Sequence, residues 1–293
     1  MRVTVEGRWS VTLLLALSIS IQCHAAEYPP NGEPPESLPT ATRWVLDASS
    51  SVEKTAIAST YIIICPKTAF KGSAFLVDNG IIVTNAHVVA GCTANELVVR
   101  SAAGKGVTIS ALRLDPLRDL AALTPGHPIS GGLALAETSA LSIGAQVRTW
   151  GHPLGYNGPP PLLSVGYLSG LIAHSPSAGS VVKHLIVNAA FNSGNSGGPL
   201  LKADGDEVIG VVVSKARPIF TPFVQSALAV FAKNRTGVNF EGTDSVGNKV
   251  SMSESQVVAE MVSSLRDMSQ VMIGEAVAVE ELRAFLSYKR AGN

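Results

Sequence analysis

The chain has 293 residues, of which 46% are hydrophobic and only 15% charged, enough material for one two-lobed domain or two small ones with a sizeable core. Lysine plus arginine and aspartate plus glutamate balance at 22 each. That balance offers no electrostatic footing for nucleic acid or an anionic membrane as a partner.

Residues 1–26 read as a secretory signal peptide. Arg2 and Arg8 precede an apolar run from Val11 to Ile21, and Ala25-Ala26 supply the small residues of a cleavage site. The run is too short for about 30 Å of hydrocarbon, so the expectation is removal rather than stable membrane insertion. Gln22 is too large for a lipidation signal before Cys23. The mature chain is then periplasmic or secreted, and it keeps two cysteines, Cys65 and Cys92. An even pair in an exported protein suggests a disulfide, with two buried thiols as the alternative. Residues 27–42 hold five prolines (Pro29, Pro30, Pro34, Pro35 and Pro39) and read as an extended linker.

A short helix within Arg43–Ala58 is expected to lead into the first strand. From Thr60 onward, short apolar runs alternate with Gly, Pro and Asn turns, from Thr60–Cys65 and Ser73–Val77 through Val208–Ser214 to a last candidate strand at Gly237–Phe240. Many short strands at even spacing indicate an antiparallel all-β architecture. A long insert separates Ser214 from Gly237, with a helix expected over Gln225–Lys233 and Phe220 and Phe223 as candidate gates of a cleft. Beyond residue 250, Ser253-Glu254-Ser255-Gln256 can form a capping box. Val257, Val258, Met261, Val262, Leu265 and Met268 then recur at helical spacing. Gly274 is expected to break that helix before a second one over Glu275–Lys289. The boundaries read as a domain over 43–250 and a helical extension over 251–293.

The chemistry concentrates in Phe191–Leu200. Ser196 has Gly194 two residues before it and Gly198 two after, so it can sit on a tight turn. That turn exposes its hydroxyl and aims the N–H groups of the Gly194-Asn195-Ser196 segment at one spot, where the oxyanion of a tetrahedral acyl intermediate would form. A free serine hydroxyl needs a base and a group to orient that base. In α/β-hydrolases the histidine follows the serine. None does here: the six are His24, His87, His127, His152, His174 and His184. That fold is excluded.

His87 is the best base, just past the apolar strand that ends in Thr84-Asn85-Ala86. His127 and His152 precede prolines and read as turn residues, while His174 and His184 read as solvated side chains. Asp119 is the best orienting acid. Asp115, followed by Pro116 and near Arg118, reads better as a turn aspartate.

At these positions the chain resembles the trypsin-like serine proteases, most closely the bacterial HtrA/Deg type. The matching pieces are Gly72-Ser73-Ala74-Phe75, Thr84-Asn85-Ala86-His87, Asp119-Leu120-Ala121, Trp150-Gly151-His152-Pro153-Leu154-Gly155 and Gly194 to Leu200. The resemblance covers roughly residues 60–245. It implies two antiparallel six-stranded β-barrels with C-terminal helices, His87 and Asp119 coming from the first barrel and Ser196 from the second. It implies a serine endopeptidase acting on protein or peptide substrates, with Gly194, Asn195 and Ser196 forming the oxyanion site. The same alignment puts Ala190 at the base of the S1 pocket, Val213-Ser214-Lys215 along one wall and Gly237-Val238-Asn239 along another. With no acid at that base, small or medium apolar P1 residues are expected. Neutral Asn195, where trypsin has an aspartate, removes the need for a newly freed N-terminus as its counter-ion.

The segment after residue 250 is too short for the PDZ domain that usually follows this protease type. Its apolar face is expected to pack against the barrel, with oligomerisation as the sharper alternative. Neither cofactor nor metal is expected, since the Cys and His residues lack ligand spacing. The competing class is a catalytically inactive barrel used for protein binding.

Overall fold

The computed structural model describes residues 38–68, 70–177, 179–215, 222–235, 237–243, 249–268 and 273–287. The leader, most of the linker and Phe220 lie outside the described residues, as do the side chains of Ser214, Lys215 and Phe223. The chain divides into two compact units, and the smaller is the long insert, residues 217–269.

Two short helices, α1 (Thr40–Asp47) and α2 (Ser51–Ser59), precede the first lobe. Ser50 caps α2 by accepting from Glu53 N–H at 3.3 Å. The lobe consists of β1 (Thr60–Cys65), β2 (Phe70–Leu76), β3 (Ile82–Thr84), β4 (Val98–Ser101), β5 (Gly106–Val107), β6 (Ile109–Asp115) and β7 (Leu120–Pro125). These run antiparallel in the order β5-β4-β1-β2-β3-β7-β6. Their β-branched and aliphatic inward residues (Ile63, Leu76, Ile82, Val99 and Leu123) are buried and form one core. The lobe therefore has seven strands and is nearly closed, rather than six-stranded, because the two-residue β5 extends the edge beyond β4. Cys65 and Cys92 are joined in a disulfide with Cα atoms 5.8 Å apart, tying β1 to the segment after the short helix α3 (Ala86–Val89).

The second lobe is a closed six-stranded barrel. It contains β8 (Gln146–Gly151), β9 (Leu162–His174), β10 (Val182–Asn188), β11 (Pro199–Lys202) and β12 (Val208–Lys215). The sequence pattern assigned its last strand to Gly237–Phe240, and the structure corrects this. That stretch belongs to the insert, whose β13 (Asn239–Thr243) pairs, among the described residues, only with β14 (Lys249–Ser253). The barrel is closed instead by β15 (Gly274–Ala278), hydrogen-bonded to β10 on one side and β12 on the other. The second C-terminal helix, α6 (Val279–Ser287), is correspondingly shorter than expected. Open main-chain groups on β10 and β12 draw residues 274–278 into the ladder, overriding a local sequence that reads equally well as helix. The barrel domain thus extends past residue 250. Leu282 and Phe285 of α6 are buried in a core shared with Phe75, Trp150, Val211 and Val277, so the last helix of this segment packs on the barrel body, whereas Val258 and Met261 of the preceding helix are exposed.

Within the insert, α4 (Pro222–Lys233) and α5 (Glu254–Met268) flank the β13–β14 hairpin in sequence. The capping box forms: Ser253 Oγ accepts from Gln256 N–H at 3.4 Å, and Gln256 Oε1 accepts from Ser253 N–H at 2.9 Å.

Candidate active site

His87 lies in the first turn of α3, directly after β3. Asp119 sits immediately before β7, the antiparallel neighbour of β3. The imidazole Nδ1 of His87 is 2.7 Å from Asp119 Oδ2, and the His87 backbone N–H donates to Asp119 Oδ1 at 2.9 Å. Because the carboxylate only accepts, Nδ1 carries the proton and Nε2 is left with its lone pair. Asp119 holds φ at 53°, the one positive φ outside glycine among the described residues. A short polar side chain tolerates this left-handed conformation better than most. The Asp119 carbonyl is clamped by Ala86 N–H at 3.2 Å and by the buried Asn85 Nδ2 at 2.9 Å. Asp115 behaves as a turn residue: its carboxylate accepts from the backbone N–H groups of Leu117 and Arg118 and pairs with the Arg118 guanidinium at 2.8 Å.

The Ser196 turn rests on the same strands. Ser73 N–H of β2 donates to the Ser196 carbonyl at 2.8 Å, and the Ser73 carbonyl accepts from Thr84 Oγ1, three residues before His87, at 2.7 Å. A Cβ at Gly197 would lie 2.1 Å from both the Ser73 carbonyl and Thr84 Oγ1, so only glycine allows this approach. Gly194 has φ of +94°, and a Cβ there would meet the His152 carbonyl at 2.5 Å. Among the described residues no hydrogen bond engages the N–H of Gly194 or of Ser196. The Ser196 hydroxyl donates to the Val213 carbonyl rather than to His87.

Around the serine, Ala190 is half-buried and Asn195 is buried. The Phe191 ring is 1% exposed and fills the space a Cβ on Gly274 would need, at 2.2 Å. Gly237, Val238 and Asn239, assigned by alignment to a pocket wall, belong to the insert instead of a barrel strand. The strand alongside β12 presents Gly274 and Glu275 opposite Lys215 and Ser214. His184 is another correction. It is 6% exposed, and its Nδ1 lies 2.6 Å from Glu275 Oε1. The His184 hydrogen bond, opposed by burial, holds the Glu275 carboxyl below its usual range. His127 and His174 are exposed.

Sequence reasoning missed the packing of Phe191 on Gly274 and the burial of Lys71, which is 8% exposed. Only Lys71 left a trace, as a lone charge inside the apolar run Phe70–Leu76.

An acid–base pair on one β-lobe beside a Gly-x-Ser-x-Gly turn on a closed barrel defines a class, and residues 72–211 match the family model described as a trypsin-like peptidase domain. Putative serine protease HhoA of Synechocystis sp. is 36% identical over 151 residues, covering 50% of this chain and 37% of its own length. Serine protease Do-like HtrB of Bacillus subtilis is 36% identical over 141 residues, covering 46% of this chain and 30% of its own. This chain therefore spans about a third of the length of these curated relatives. An inactive-form crystal structure of Rv3671c from M. tuberculosis H37Rv aligns with TM-score 0.55 at 19% identity, over 83% of this chain and 91% of that one. The HtrA-type protease AlgW with tripeptide aligns with TM-score 0.53 at 21% identity, over 80% of this chain and 62% of that one. At such identities the likeness bears on fold alone, and it agrees with two β-lobes.

Proposed function

We propose that this chain is an exported serine endopeptidase. One observation carries the reading: the His87–Asp119 pair, 2.7 Å apart, stands beside a serine turn whose Gly194 and Ser196 N–H groups are unengaged. Ser196 turns about χ1 from the Val213 carbonyl toward Nε2 of His87 and attacks the scissile carbonyl while His87 takes its proton. Asp119 holds the tautomer and stabilises the imidazolium, and the two N–H groups receive the oxyanion. His87 returns the proton to the leaving amine, and a water repeats the sequence to release the acyl group. Because His87 must be neutral to act as base, activity falls in acid.

The Phe191 ring against Gly274 and the lack of an acid at Ala190 support small or medium apolar residues at P1, with Val213, Ser214 and Lys215 along the cleft. Neutral Asn195 supports activity without proteolytic release of an N-terminus. Export is supported by the leader pattern and the Cys65–Cys92 disulfide. The relatives named serine proteases, and AlgW with its tripeptide, support a protein or peptide substrate.

One observation favours a second reading, a non-catalytic binding barrel: the Ser196 hydroxyl is bonded to Val213 rather than His87. Incubation with a serine-directed phosphonate and a peptide library separates the two. The protease reading expects one phosphonate adduct on Ser196 and cleavage after apolar residues, both lost in Ser196→Ala. An unlabelled, inert protein would leave the binding barrel.

A further inference from the structure

Lys71 occupies a place where a charge is expensive. It lies in β2 with 8% exposure, and its ammonium donates to the carbonyls of Pro153 at 3.2 Å and Tyr156 at 2.6 Å. Those two carbonyls bracket a tight turn, closed by Tyr156 N–H donating to the Pro153 carbonyl at 3.2 Å. Inside the turn, Leu154 N–H donates to the Ser193 carbonyl at 2.7 Å. One residue before it, His152 N–H donates to Ser73 Oγ at 2.8 Å, and Ser73 Oγ donates to the Gly194 carbonyl at 2.7 Å. The Cβ that Gly194 lacks would fall 2.5 Å from the His152 carbonyl and 2.7 Å from Leu154 N. The 152–156 turn is thus the wall on which the Ser193–Gly194 peptide rests.

Peptide planarity turns this contact into an orientation. In a trans peptide the C=O and N–H point in opposite directions. Holding the Ser193 carbonyl on Leu154 therefore fixes the Gly194 N–H pointing away from the turn, free to meet an oxyanion. If the Leu154 contact is lost, rotation of the peptide carries that N–H out of position. The neighbouring imidazole does not compete for the ammonium's charge. Burial, reinforced by Lys71, pushes His152 down to about 3, so it stays neutral.

We propose that Lys71 is a positioning residue for the oxyanion site: its ammonium fixes the 153–156 turn, and the turn sets the orientation of the Ser193–Gly194 peptide. The inference rests on the serine endopeptidase reading. It assigns Lys71 an effect on the rate of acyl transfer rather than on substrate capture, because the donor it orients meets the substrate strongly only when charge develops.

The test compares the wild-type chain with Lys71→Met, which keeps the aliphatic stem without donors, and Lys71→Arg, which keeps charge and donors. Lys67→Met serves as an exposed charge control. Steady-state hydrolysis of an apolar P1 peptide is read alongside thermal unfolding. The expected result is a fall in kcat of about 10–100-fold for Lys71→Met, with KM within about two-fold, partial recovery in Lys71→Arg and no change in Lys67→Met. Leu154→Pro removes the N–H that holds Ser193, while its ring also fixes φ at 154 and restricts Pro153. It should lower kcat by a similar factor, and combining it with Lys71→Met should add little. This second variant keeps the test open should Lys71→Met fold poorly. Unchanged kcat in folded Lys71→Met, or losses that multiply in the double variant, would overturn the inference while leaving the protease reading intact. A wild-type chain that neither hydrolyses peptide nor labels at Ser196 would remove that reading, and this inference with it.

Discussion

The two lobes are built in different ways. The first is local: its strands come from an unbroken run, residues 60–125, with a disulfide fixing the segment after His87. Its contribution to the site is correspondingly self-contained. The Asp119 carboxylate receives both the ring and the backbone of His87, and the Asp119 carbonyl is held by Ala86 and Asn85. The second lobe is completed from a distance. Its last strand arrives after the insert, at residues 274–278, and the serine turn is supported by Ser73 from the first lobe and by the 152–156 turn. The acid–base pair is already hydrogen-bonded, whereas the Ser196 hydroxyl rests on Val213. On the proposed protease reading, whatever limits turnover before chemistry lies on the serine side.

Three substitutions sharpen or break this contrast. The largest effect is expected from Asp119→Asn, which leaves the local scaffold standing but favours the wrong imidazole tautomer. It should lower kcat by about 10⁴-fold with little change in unfolding temperature. Retained activity would mean that His87 is not oriented by Asp119. Leu282→Ala comes next. Leu282 on α6 is fully buried in the core it shares with Phe75, Trp150 and Val211, and its truncation should cost about 3 kcal/mol in denaturant unfolding. A cost near zero would show that residues 274–287 are an appendage rather than part of the barrel body.

The smallest effect involves Glu280, also on α6. Burial pushes its carboxyl up, but bonds from its own N–H, Ser139 and Lys183 outweigh this and hold it at about 2. Because the folded value lies below the unfolded one, its contribution is full above about pH 4.5 and is lost as pH falls toward 2. Glu280→Gln should therefore unfold at lower temperature than wild type at pH 7, with the gap closing below pH 3. A gap independent of pH would reject an ionic role for this carboxylate.

Much of the fold was legible in the sequence because it rests on local chemistry. The short apolar runs between Gly, Pro and Asn turns gave most strands of both lobes, the Ser253–Gln256 box gave the start of α5, and the even cysteine pair suggested the bridge now observed. Glycine positions marked where the serine turn must bend. What could not be read was long-range. Glu275-Ala276-Val277-Ala278 is a strand only because β10 and β12 offer it pairing partners, and nothing within the segment states this. Similarly, Leu154 is an ordinary residue, and Lys71 no more than a lone charge in an apolar run, until the fold brings the 152–156 turn under Gly194.

The most direct measurement is a structure of the protein after reaction with a serine-directed phosphonate. The account predicts phosphorus bonded to Ser196 Oγ, that oxygen withdrawn from the Val213 carbonyl toward His87 Nε2, and a phosphonyl oxygen within hydrogen-bond reach of the Gly194 and Ser196 N–H groups. A protein that remains unmodified, or an adduct whose phosphonyl oxygen turns away from both N–H groups, would contradict it.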